Sequence, residues 1–153
     1  MGLLLLIPLL LGVISTALTF NDYLSVDNAT RDSARYASSV DYSSGATAWA
    51  DNVQTRAQQA YYNSASTLST SQICVQLVQP STATVLATPT TQGSSCSGSV
   101  PASPSNVPSG TCLVKVWIAK PSDINIGIAS WSMTVSSKSI GYYGRAAGVC
   151  TTP

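Results

Sequence analysis

The chain has 153 residues, 7 basic and 6 acidic side chains and a formal net charge of +1, about one domain's worth of protein. All six acids are aspartate, glutamate and histidine are absent, and only 8% of residues are charged, against about a quarter in an ordinary soluble domain. The near-neutral balance gives no field for nucleic acid or anionic lipid. Without histidine the commonest metal ligand and general base are missing, so the expectation is a protein that is not an enzyme, with no catalytic residue, cofactor, metal or nucleic-acid partner.

Residues 1–21 carry no charge, and residues 3–11 read LLLLIPLLL. A helix over residues 2–20 would rise about 28 Å at roughly 1.5 Å per residue, close to the hydrocarbon thickness of a bilayer. Leu3, Leu4, Leu5, Leu6, Ile7, Pro8, Leu9, Leu10, Leu11, Gly12, Val13, Ile14 and Phe20 are its apolar and small residues. Three readings compete: a cleaved secretory signal, a plain membrane anchor, and a helix that crosses the membrane until it packs among copies of itself. No Lys or Arg precedes the apolar run, which disfavours the signal peptide.

The helical pattern continues beyond the apolar run. Phe20, Tyr23, Leu24, Val26, Ala29, Ala34, Ala37 and Val40 recur at steps compatible with one helix face, and Asp27 precedes Arg31 by four residues, a favourable helix pair. One helix of about 38 residues is predicted, stopping at Ser43-Ser44-Gly45. A second helix is expected over residues 46–68, with Trp49, Val53, Ala57, Ala60, Tyr61 and Leu68 on one face and Ser44 or Thr47 as its cap.

The remainder reads as strands and loops. Ile73, Val75 and Leu77 alternate with Cys74, Gln76 and Val78, and a short β-prone stretch covers residues 82–87. Residues 87–111 hold four prolines, three glycines and many hydroxyls, predicting a long surface loop. Cys112, Val114, Val116 and Ile118 mark the clearest strand. A turn is expected at residues 120–123, then alternation at Ile124, Ile126 and Ile128, then a strand over residues 131–140.

Four cysteines, Cys74, Cys96, Cys112 and Cys150, lie after the apolar segment, as two disulfides in an oxidising compartment would require. Three connectivities are open. The favoured one joins Cys96 to Cys112 across the ends of the Gly/Ser/Pro loop and leaves Cys74 with Cys150.

Residues 8–12, PLLLG, followed by residues 29–37, ATRDSARYA, resemble the TadE-like family of type IV-like, tight-adherence pilus proteins. The second block, with Arg31, Ala34, Arg35 and Tyr36, carries the more specific likeness to that family's alanine-rich AAR-x-x-AR stretch. Residues 130–145 resemble its final strand. The resemblance implies a pilin or pseudopilin matured by a prepilin peptidase and packed into a filament through its N-terminal helix. Family members carry a glutamate ahead of the proline, and Gly2 occupies that position here.

The combined expectation is an α+β chain: an N-terminal membrane and assembly helix in residues 1–44, then a head in residues 45–153 with a second helix and a small antiparallel sheet. Its expected role is a structural subunit of a surface pilus. Expected partners are other copies of the chain in a helical filament, the pilus assembly machinery, the membrane before assembly, and a surface ligand through the head. The alternatives are a single-pass anchored adhesion or binding module and a minor or tip pseudopilin. Leucine at Gly12 or Ala34 is expected to block filament packing but spare an anchored monomer.

Overall fold

The computed structural model describes residues 2–61, 68–93, 96, 100–108, 110–125, 129–144 and 150. Helix α1 spans Gly2–Ser39 without interruption, with Pro8 inside it. A 3₁₀ turn, Tyr42–Ser44, leads to helix α2, Ala46–Ala60. Four strands follow: β1, Ile73–Gln79; β2, Thr84–Ala87; β3, Cys112–Asn125; and β4, Ser130–Tyr143. They form one antiparallel sheet in the order β2-β1-β3-β4. A long apolar N-terminal helix, a second helix and a four-stranded antiparallel sheet make this an α+β chain with a pilin-like layout.

Helix α1 ends at Ser39, before the expected Ser-Ser-Gly cluster. Ser38 Oγ and Ser39 Oγ donate to the carbonyls of Arg35 and Tyr36, and Tyr143 Oη donates to Val40 O at 2.9 Å. Hydroxyls that take up last-turn carbonyls offer the backbone an alternative to another helical turn. The cap of α2 is neither Ser44 nor Thr47 but Gly45, at φ +96° and with no side-chain cap bond. That left-handed conformation is open to glycine at no steric cost. Helix α2 stops at Ala60 rather than at residue 68, because Tyr61 turns extended and sends its hydroxyl to Asp22.

The core lies between the helices and one face of the sheet. Trp49, Ala50, Val53 and Ala57 of α2 meet Ile73, Val75 and Leu77 of β1, Val114, Val116 and Ile118 of β3, and Val135 and Tyr143 of β4. Burying each such Val, Ile or Leu contributes about 1.5–3 kcal/mol. From α1 the core takes Val26, Ala29, Ala34 and Ala37, all on one helix face. They are small, so α1 lies close against β4: a Cβ built on Gly141 would stand 3.1 Å from Ala34 O. Thr30 and Ser33 on the same face are buried and donate to the carbonyls of Val26 and Ala29, so both hydroxyls are satisfied within the helix.

The opposite face of the sheet is covered in part, over β1 and β3. Cys74 pairs in register with Trp117, and these two pack with Cys96 from the 87–111 loop. That loop is tied down at its start as well, where Thr90 N and Oγ1 donate to Asp51 of α2. Pro89 and Pro101 are buried, so the segment is more than the surface loop the sequence suggests.

Two expectations change. The disulfides are Cys74–Cys96 and Cys112–Cys150, not Cys96–Cys112 and Cys74–Cys150. Strand parity is the reason: Cys112 points to the helix side with Val114 and Val116, whereas Cys74 and Cys96 lie on the other face. The expected turn at residues 120–123 is absent, since β3 runs through Pro121 as far as Asn125. Strand β1 ends opposite Ile118, so Pro121 has only β4 beside it, an edge setting that tolerates a missing N–H. Ile126 and Ile128 lie outside the described residues.

Candidate assembly helix

Helix α1 has two halves with opposite environments. Leu6, Ile7, Leu9, Leu10, Leu11, Val13, Ile14 and Phe20 are between 36% and 70% exposed, an apolar rod without cover from its own chain. Pro8 and Gly12 are half-buried on it. Leu3, Leu4 and Leu5 belong to the same helix, though their side chains are outside the described set. Thr16 Oγ1 and Thr19 Oγ1 donate to the carbonyls of Gly12 and Ser15, at 2.7 and 3.0 Å. Hydroxyls satisfied inside the helix suit both a bilayer and a helix-packed interior. The helix is long and apolar enough to cross a membrane. Together with two disulfides, which persist in oxidising compartments, this indicates a membrane-directed, non-cytoplasmic protein.

The rod meets the head at a buried polar cluster. Asp22 on α1 accepts from Tyr61 Oη at 2.9 Å, from Lys120 Nζ at 3.2 Å and from Ser122 Oγ at 3.4 Å. Lys120 Nζ also donates to Tyr61 Oη at 2.6 Å. Three elements are thereby tied together: α1, the end of α2 and β3. Burial opposes the Lys120 ammonium, but the hydrogen bonds and charges of Tyr61 and Asp22 outweigh it and raise its pKa above the ordinary lysine value. A buried ion pair is weak evidence of net stability, yet it is costly to break from one side. Such a cluster fixes the direction in which α1 leaves the head.

The second motif is divided between surface and core. Arg31 is exposed and pairs with Asp27 at 3.0 Å. Arg35 is exposed and lines, with Arg31, Ala34, Ser38, Ser139, Ile140 and Gly141, a shallow groove between α1 and β4. Tyr36 is half-buried beneath Arg56, whose guanidinium lies 5.9 Å from the ring centroid and whose Nε reaches Asp32 at 2.8 Å. Ala34 is buried; it belongs to the head core, so leucine there tests folding rather than packing between copies. Gly12, by contrast, lies on the rod.

Among the described residues no group of three metal-ligating side chains occurs. The Asp22 cluster carries no signal in the sequence, because the partners of Asp22 lie 39 to 100 residues from it. Comparison with family models, with curated proteins and with solved structures found no match.

Proposed function

We propose that the chain is a structural subunit of a type IV-like surface pilus, held in the membrane by α1 before assembly and packed among other copies through α1 afterwards. The observation that carries this reading is the division of α1: residues 6–20 expose a continuous apolar surface, while the half from Asp22 onward is built into the head core. An isolated water-soluble protein does not retain such a surface. A helix that trades lipid for neighbouring helices does, since lipid tails and leucine side chains are equally apolar. The resemblance of residues 8–12 and 29–37 to TadE-like pilus proteins supports the same reading.

The test is the composition of filaments sheared from cells. The chain is expected in that fraction, and its recovery solely as a detergent-soluble monomer would overturn the proposal.

A further inference from the structure

The β3–β4 hairpin outruns the rest of the sheet. Residues 119–125 of β3 pair with residues 130–136 of β4 beyond the end of β1, a projection of about 24 Å at roughly 3.4 Å per residue. It runs down α1 towards the rod: Tyr143 contacts Val40, Ser137 Oγ reaches Asp27 at 2.8 Å, and Met133 and Val135 lie beside Thr16 and Phe20. Between hairpin and helix is an open apolar groove of about 450 Å³, with Phe20, Tyr23, Ile124 and Met133 on its walls. Trp131 stands close to the end of the same hairpin and is half exposed, as are Met133 and Tyr23. A strand end in water is normally polar or charged. Here residues 124–137 contain no charge, and the one charge at this level of α1, Asp22, is buried against Lys120.

We propose that this surface, formed by Phe20 and Tyr23 of α1 with Trp131 and Met133 of the hairpin, is a lipid-facing seat that holds the head in the interfacial layer of the bilayer. This rests on the reading of α1 as a membrane-spanning helix before assembly. The surface is continuous with the exposed apolar rod, and it places Trp and Tyr where the rod meets the head, the depth at which these amphipathic rings partition in membranes. It presents no cation, so zwitterionic lipid suffices. Asp123, exposed opposite Ser132, stays in the headgroup water and disfavours anionic lipid. The head is thereby held at a fixed height and tilt.

The tryptophans make the proposal measurable, because Trp49 and Trp117 are buried and only Trp131 is exposed. The full chain is reconstituted in phosphatidylcholine vesicles whose acyl chains are brominated either near the headgroup or near the terminal methyl. Trp131 emission is expected to shift to the blue and to be quenched more by the shallow bromines, and Trp131→Phe removes the quenched component. A second variant, Leu10→Trp in the Trp131→Phe background, reports on α1 itself. Quenching at position 10 but not at Trp131 overturns the seat and leaves the spanning helix standing. Quenching at neither position overturns both. Protection of Trp131 that grows with the protein-to-lipid ratio and shows no bromine quenching assigns the surface to a second copy of the chain, and also overturns the seat.

Discussion

Lys120 Nζ lies 3.2 Å from Asp22 Oδ2, with both side chains buried, at the level where α1 leaves the head for its exposed apolar half. The pair joins residues 98 apart and sets how rod and head are held together. Lys120→Met leaves Asp22 buried without its cation, and a loss of about 3–5 kcal/mol is expected, read from chemical denaturation of the head.

Lys115 is the contrasting case, a buried lysine whose pKa is shifted the other way. It is buried on β3 and burial lowers its pKa, so the folded state disfavours its charge. Lys115→Met is expected to be neutral or to stabilise by up to about 1 kcal/mol, a rise in Tm of about 2–4 °C. Equal losses from the two substitutions would refute the distinction.

The alkaline pH dependence is set largely by the same two lysines. The folded pKa of Lys120 is raised, so its contribution is complete below the ordinary lysine range and is lost as pH climbs through the raised value. Lys115 is lowered, so its penalty is present at neutral pH and is relieved as pH rises from its folded pKa towards the ordinary lysine value. Denaturation between neutral and strongly alkaline pH should show wild type losing stability at the alkaline end. That loss should be smaller in Lys120→Met, where the Tyr42 phenol, its pKa also raised by burial, still contributes to it, and more pronounced in Lys115→Met, which lacks the compensating relief.

Gly141 faces Ala34 O across the α1–β4 contact. Gly141→Val forces the small-residue face of α1 away from the sheet, and overpacking of this kind costs about 1–3 kcal/mol. Ala34→Leu should do the same. Both should lower the melting temperature of the head, whereas Gly12→Leu on the rod should leave it unchanged and reduce filament yield.

The disulfides close segments of 22 and 38 residues, worth about 3 and about 4 kcal/mol in the chain-entropy account. Cys74→Ala with Cys96→Ala should cost about 3 kcal/mol and free the loop from Trp117, visible as increased proteolysis within residues 87–111. Peptide mapping without reduction checks the pairing directly.

Much of the fold was legible in the sequence because its signals are local. The uncharged run and the three- and four-residue spacing after it define α1 along nearly its whole length, and alternation around Val75 and Val114 defines β1 and β3. What escaped depends on partners distant in sequence. Pro121 suggested a turn, but whether β1 or open edge lies beside it is a matter of sheet register. The cysteine pairing turned on which face of the sheet each residue occupies, a property of Cys74 and Cys112 that spacing alone does not order. Tyr61 was legible as part of the apolar face of α2, but its hydroxyl partner Asp22 and the cation Lys120 lie far from it in sequence, and only the packing of α1 against α2 and β3 brings them together.

In the proposed assembly, residues 6–20 of α1 exchange lipid for neighbouring copies of themselves. A cryo-electron microscopy reconstruction of filaments sheared from cells tests it most directly. The expected result is a filament axis filled by the apolar halves of α1 from successive subunits, with the four-stranded heads outside. A filament axis built from another protein, or heads stacked on the axis with residues 6–20 exposed, would contradict it.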